Sequence, residues 1–283
     1  MKAVLIVVMC CSVLFLTSGA SAALFSANFD TSLNAQASPP NGSAVPAVTG
    51  SSVGITSGNQ GYGGGEALSV TTDRDFLTYE LDGTYPNTTW WPQQGSVSMK
   101  FKIGQPDNGN WIHMFTFHYD YAGAENYGVF EVSLGMGNYD GANFGGWAQL
   151  RTNNGWNDGW KTYNNGNQGY PALPGNPMVT PGWHDLRVEW NSTSAWTPGG
   201  AVETPTGNIA VYVDGLLGLA VNNAKLGAVE TFSRLRLGSG QPLGYYPIGN
   251  YGGLYDQVVI TPEPTTLTLL GLGLFGLLRS KRK

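Results

Sequence analysis

Asp185, Arg187 and Glu189 alternate along the segment WHDLRVEW, and carboxylates spaced on one strand face are the residues from which glycoside cleavage is built. A retaining mechanism needs its two carboxyl groups about 5 Å apart, and an inverting one somewhat more. By strand rise Asp185 and Glu189 stand about 13 Å apart with a cation between them, so the triplet reads as a solvated cross-strand charge ladder. No Glu-x-Asp-x-x-Glu pattern occurs elsewhere, and Asp73 and Asp75 flank Arg74 in the same bland way. The three histidines make no metal constellation. His113 and His118 lie five apart in WIHMFTFHYDY and are expected on opposite strand faces, while His184 is expected inward. The only cysteines, Cys10 and Cys11, fall in the first apolar stretch of the chain, so a zinc site or thiol nucleophile has little to build from.

Binding chemistry is better supplied. From Asn138 to Tyr170 runs NYDGANFGGWAQLRTNNGWNDGWKTYNNGNQGY, in which Trp147, Trp156, Trp160, Tyr163 and Tyr170 alternate with asparagine and glycine. Aromatic faces stack on the apolar faces of sugar rings and amides satisfy hydroxyls, so such a loop at the rim of a sandwich suits a glycan platform. The other reading is structural: Asn-Gly-rich hairpins that tuck a few aromatics onto a sheet are an ordinary way to build long loops.

The elements that must hold these residues are strands. SVSMKFKIG places Val97, Met99, Phe101 and Ile103 on one face and Ser96, Ser98, Lys100 and Lys102 on the other. FLTYEL does the same with Leu77, Tyr79 and Leu81, GVFEVSLG with Phe130, Val132 and Leu134, and WHDLRVEW with Leu186, Val188 and Trp190. In GNIAVYVDGLLGLAV two apolar runs meet at Asp214-Gly215, a dipeptide suited to a tight hairpin. FSRLRLGSG and LYDQVVI close the series. No body segment has the periodicity of a helix of ten or more residues. Short strands, turn residues between them and 41 glycines predict an all-β fold of two packed antiparallel sheets.

Both ends differ from this body. Met1-Lys2, the apolar stretch Ala3 to Leu16 and small residues at Ala20 and Ala22 predict a signal helix over residues 1–22, cleaved on export. The two cysteines leave with it, and no disulfide staples the exported protein. At the other end Pro262, Glu263 and Pro264 give a rigid extended stretch. Leu267 to Leu278 is apolar but short of the roughly 20 residues a helix needs to span a bilayer unaided, and Arg279, Lys281, Arg282 and Lys283 follow. This predicts a short C-terminal membrane helix and transient membrane association. Without the ends, the body keeps nine of the 14 basic residues and 18 of the 19 acidic ones, a net charge of −9. Such a body repels phosphate backbones, which argues against a nucleic-acid partner. About 240 residues, 23–260, suffice for one all-β domain with a sizeable core.

The C-terminal segment, residues 261–283, resembles the PEP-CTERM sorting signal of bacterial envelope and exopolysaccharide-associated proteins. The resemblance implies an exosortase as processing partner and cleavage near the motif. The order of NFD, SVSMKFKIG, PGWHDLRVEWN, IAVYVDG, FSRLRLGS and YDQVVI resembles the concanavalin A-like, laminin G-like jelly-roll superfamily over essentially the whole body. That likeness implies that the last strand returns beside the first, bringing Asp30 and Asp256 toward one structural calcium ion, as jelly-roll carbohydrate-binding modules often hold. It also hosts lyases, but their tyrosine and arginine motifs are missing, and catalysis is not the expected role. The sequence therefore predicts an exported protein of the cell envelope, cell surface or extracellular matrix whose sandwich binds polysaccharide. The alternative is a structural or adhesive envelope protein without a glycan ligand.

Overall fold

The computed structural model describes residues 23–37, 46–49, 53–70, 76–81, 94–103, 111–121, 124–137, 145–153, 160–164, 181–192, 206–225, 234–238 and 253–262. The expected signal helix and C-terminal membrane helix lie outside them. Among the described residues every regular element is a strand. In chain order these are β1 (Phe25–Ala27), β2 (Pro46–Thr49), β3 (Val53–Ile55), β4 (Leu68–Val70), β5 (Phe76–Glu80), β6 (Gln94–Ile103), β7 (Trp111–Tyr121) and β8 (Ala124–Gly137). There follow β9 (Gly145–Asn153), β10 (Trp160–Asn164), β11 (His184–Ser192), β12 (Thr206–Val213), β13 (Leu216–Lys225), β14 (Arg234–Gly238) and β15 (Gly253–Pro262).

They form two antiparallel sheets, as the alternation predicts. One has eight strands in the order β13-β12-β11-β6-β15-β4-β3, with β1 pairing the second half of β15. The other has seven, ordered β10-β9-β8-β7-β14-β5-β2. The last strand does return beside the first, with Phe25 opposite Ile260. The inward residues are the ones the period of two selects. Val97, Met99 and Phe101 of β6, Leu186, Val188 and Trp190 of β11, and Ile209, Val211 and Val213 of β12 are buried against Leu77 and Tyr79 of β5 and Leu235 and Leu237 of β14. Tyr79 keeps its hydroxyl satisfied by donating to the Leu33 carbonyl at 2.6 Å, and its ring meets Phe25 edge to face at 5.0 Å.

Two interruptions of the alternation matter for function. In β15 the pairing with β6 shifts between Asp256 and Val259. Without that shift Asp256 would share a face with the fully buried Val258 and Ile260. The extra residue, Gln257, takes a left-handed φ of 47°, the parity flips, and Asp256 stands opposite Lys100 on the outer side. In β7 a shift between His113 and Phe115 does the same. His113 then pairs Ser133 and His118 pairs Val129, four residues apart in β8. The expectation that these histidines take opposite faces is therefore wrong: the bulge places both positions on one face, still about 13 Å apart along the strand.

The hairpin at Asp214-Gly215 is as expected. Both residues have positive φ, 50° and 77°, as a two-residue type I′ turn requires.

Candidate functional site

Five aromatic residues were expected to form a platform. Trp156 and Tyr170 lie outside the described residues. The backbone places Trp147 in β9, opposite Gly135, and Trp160 and Tyr163 in β10, opposite Asn153 and Leu150. Their side chains are outside the described set. These two strands form one edge of the seven-stranded sheet, which puts the hairpin region at a rim. Pro262 of the sorting motif ends β15, opposite Gly95, and Glu263 and Pro264 lie outside the described residues.

Asp30 and Asp256 are brought together. β4 and β1 flank β15 end to end, β4 pairing Gly253 to Tyr255 and β1 pairing Val258 to Ile260, so the bulge at Asp256 and Gln257 falls in the gap between them. Into that gap comes the glycine-rich loop joining β3 to β4. The Asp256 carboxylate, 2 % exposed, accepts the Tyr62 amide at 2.9 Å through Oδ2 and the Gln257 amide at 2.7 Å through Oδ1. Burial raises its pKa, the two amides work against that rise, and the charge of Asp30 adds to it. Asp30 is oriented by the Asn28 side-chain amide at 2.8 Å and packs on Gly65, where an added Cβ would run into its carboxylate. Two hard-oxygen carboxylates beside a loop rich in backbone carbonyls match the donor chemistry of calcium. Among the described residues no group of three His, Cys, Asp or Glu side chains converges on a metal position.

A second cluster was not anticipated. Tyr62 is 41 % exposed and meets the Trp183 ring edge to face, centroids 6.1 Å apart at 78°. Lys100 lies over the Tyr62 ring, its Nζ 4.2 Å from the centroid, and forms an ion pair with Asp185. Burial opposes the charge on Lys100, yet Asp185 and the Tyr62 hydroxyl outweigh it and the pKa is raised. The charge ladder on β11 is present as expected. Arg187 Nε lies 3.3 Å from Glu189, and the guanidinium sits 4.5 Å from the Tyr212 ring centroid. His184 is inward, as expected, stacked against Phe101 at 5.6 Å. Its Nδ1 lies 2.7 Å from Asp214 Oδ2, and Asp214 Oδ1 accepts the Asp185 amide at 2.9 Å, which ties the hairpin turn to the start of β11.

The seven-stranded sheet carries a polar row as well. Thr78, Arg236 and Thr116 occupy paired positions on β5, β14 and β7, all buried, with the Arg236 guanidinium 4.5 Å from the Phe76 ring centroid. The register continues this row to Glu131 and Arg151.

Residues 261–283 match the family model described as the PEP-CTERM protein-sorting motif. No curated protein matches the chain. Among solved structures, the binding domain of botulinum neurotoxin serotype D/C VPI 5993 is similar with a TM-score of 0.55 at 10 % identity, over 89 % of this chain and 52 % of that one. The serotype D binding domain gives 0.53 at 12 % identity, over 88 % and 51 %. A botulinum neurotoxin type C structure, described by a cell entry dependent on interaction with two ganglioside molecules, gives 0.53 at 11 % identity, over 89 % and 51 %. The chain spans about half the length of these structures, and at such identities the likeness establishes the fold. The chain is thus an all-β sandwich of the kind found in those binding domains, ending in a PEP-CTERM sorting motif that marks an exported protein of the cell envelope.

Proposed function

We propose that the protein is processed by an exosortase at its C-terminus and that its sandwich, residues 23–260 in the jelly-roll order of the laminin G-like domains, binds extracellular polysaccharide at the surface or in the matrix. The motif match at residues 261–283 supports the sorting half of this reading. The binding half rests on one placement: the positions of Trp147 and Trp160 share the outer face of the two strands at one edge of the seven-stranded sheet, inside the Asn-Gly-aromatic stretch, while Tyr163 takes the other face, paired with the buried Leu150. An edge hairpin of that composition offers ring faces and amides to a sugar chain. The ganglioside interaction described for the type C neurotoxin is that protein's and lends no ligand to this chain. A calcium ion held by Asp30 and Asp256 would stiffen the junction of β1, β4 and β15, supplying charge neutralisation and no chemistry of its own.

The test is affinity electrophoresis of the exported protein through gels containing neutral or acidic polysaccharides. If both rings serve the platform, Trp156→Ala and Trp160→Ala should each weaken retention while moving stability by less than about 0.5 kcal/mol, the cost of removing a ring that stacks on a sugar rather than on the core. Several kcal/mol of destabilisation with no specific loss of retention would place both indoles in the core. Absence of retention in every gel would leave the structural envelope role, and new reducing ends or unsaturated products would reveal an enzyme.

A further inference from the structure

We infer that the outer face of the eight-stranded sheet carries a second, separate glycan contact, centred on Tyr62 and Trp183 and taking an uncharged pyranose chain. The proposal rests on the glycan-binding reading above but on none of its residues. Tyr62 is one of three large hydrophobic residues exposed among the described residues, and it is the aromatic one. It is held in place by its backbone, through the hydrogen bond its amide donates to Asp256, so its exposed ring is not fixed by burial. Trp183 stands nearly perpendicular to it and makes a corner with two ring planes. Sugar C–H faces stack on such rings, and hydroxyl groups need acceptors beside them. Asp185, two residues after Trp183, and Asp214, in the turn that accepts the Asp185 amide, have side chains 56 % and 43 % exposed and provide these.

Charge selects the ligand class. Lys100 is committed to Asp185 and to the Tyr62 ring, and Arg187 to Glu189 and the Tyr212 ring. Lys102 is exposed on the same face of β6, but one lysine stands against Asp185, Asp214, Glu189 and a body with an excess of nine acidic groups, so the charge balance disfavours an anionic polymer. Tyr212 lies on β12, in register through Arg187 with Ser98 of β6, so it stands two strand spacings across and two residues along from Lys100, about 12 Å away, and extends the face over more than one sugar ring.

The experiment uses the protein expressed with both its native termini and recovered after export. Its mobility is measured in gels containing a soluble neutral β-glucan or alginate, with Tyr62→Ala, Trp183→Ala, Tyr212→Ala and Trp160→Ala in parallel and melting curves for each. Tyr62→Ala keeps the backbone hydrogen bond to Asp256 and is the decisive variant if replacement of the half-buried Trp183 proves destabilising. Retardation by the neutral glucan, weakened roughly three- to tenfold by Tyr62→Ala with an unchanged melt, is the expected result. Loss through Trp160→Ala alone overturns this contact and leaves the hairpin platform standing. Retardation by alginate rather than glucan overturns the ligand class. No retardation of the wild type in either gel overturns the contact together with the glycan-binding reading.

Discussion

The Asp256 carboxylate accepts the Tyr62 backbone amide at 2.9 Å, joining positions 194 residues apart. Through this bond the last strand fixes the glycine-rich loop, and the loop in turn presents the Tyr62 ring beside Trp183 and Lys100. A buried carboxylate therefore sets the geometry of an exposed aromatic surface.

The pH dependence of stability follows from the same carboxylate. Its pKa is raised by burial, so between the ordinary value of 3.8 and the raised one the folded protein binds more protons than the unfolded chain. Metal-free stability from this group is present below 3.8 and is lost as pH rises through the raised pKa. A calcium ion shared with Asp30 has the opposite sign, because it requires both carboxylates charged. Melting temperature measured against pH, with calcium or with a chelator, should show a calcium-dependent gain at pH 7 that shrinks on acidification. At a hundredfold excess over Kd the gain is about 2.7 kcal/mol, and Asp256→Asn should abolish it. A chelator that leaves the melt at pH 7 unchanged rules the ion out.

The loop itself makes an ordered set of glycine substitutions. An added Cβ at Gly61 meets the backbone of Gly65 and Glu66, which cannot yield without opening the turn closed by the Gly61 amide on the Gly65 carbonyl at 2.6 Å. At Gly65 it meets the Asp30 side chain, which can rotate away, and at Gly54 it meets nothing within 4 Å. Denaturant titration should rank Gly61→Ala as the costliest, about 1–3 kcal/mol, with Gly65→Ala below it and Gly54→Ala near zero. Equal costs at Gly61 and Gly54 would contradict this packing.

Most of the fold was legible in the sequence because burial on one face imposes a period of two, and SVSMKFKIG and WHDLRVEW obey it without interruption. The pairing of first and last strands came from the order of motifs and was found as expected. The sheet order came with neither, since partners distant in sequence are chosen by packing rather than by local pattern. The face of His113 was misjudged because one inserted residue at Met114 reverses parity and leaves no composition signal. In β15 the signal existed: YDQVVI sets apolar residues at 258, 259 and 260 consecutively, which a straight half-buried strand would not do. Tyr62 went unnoticed because it stands alone among glycines, and its partners Trp183 and Lys100 come from two other places in the chain.

Asp214 has two duties that substitutions can separate. It occupies the first positive-φ position of the turn, and its side chain holds both the His184 ring and the Asp185 amide. Asp214→Asn keeps the turn preference and one acceptor oxygen, so thermal melting should shift little. Asp214→Ala loses both and leaves the inward His184 without that partner, at a cost of about 1–3 kcal/mol. Equal melting temperatures for the two variants would show that the side-chain bonds contribute nothing to the hairpin.

Sorting should leave the sandwich untouched, because β15, the last described strand, ends at Pro262, within the first residues of the motif. Pro262 is the last residue of β15 and pairs Gly95, while one position earlier Thr261 shares a 2.9 Å hydroxyl bond with Ser96. Everything that holds β15 to β6 and β1 lies at or before Pro262. A chain ending after Glu263 should therefore melt like the full-length protein. One ending after Gln257 loses Val258 and Ile260, both fully buried, and the whole of the β1 pairing. Each such side chain contributes about 1.5–3 kcal/mol, so together they approach the stability of an ordinary domain and the shorter chain should not fold. For the protein extracted from the cell surface, intact mass should correspond to loss of Leu267 to Lys283 with β15 retained. Recovery of the complete C-terminus from the surface would sink exosortase processing, and a mass lacking Val258 to Pro262 would contradict a body that stays folded after the cut.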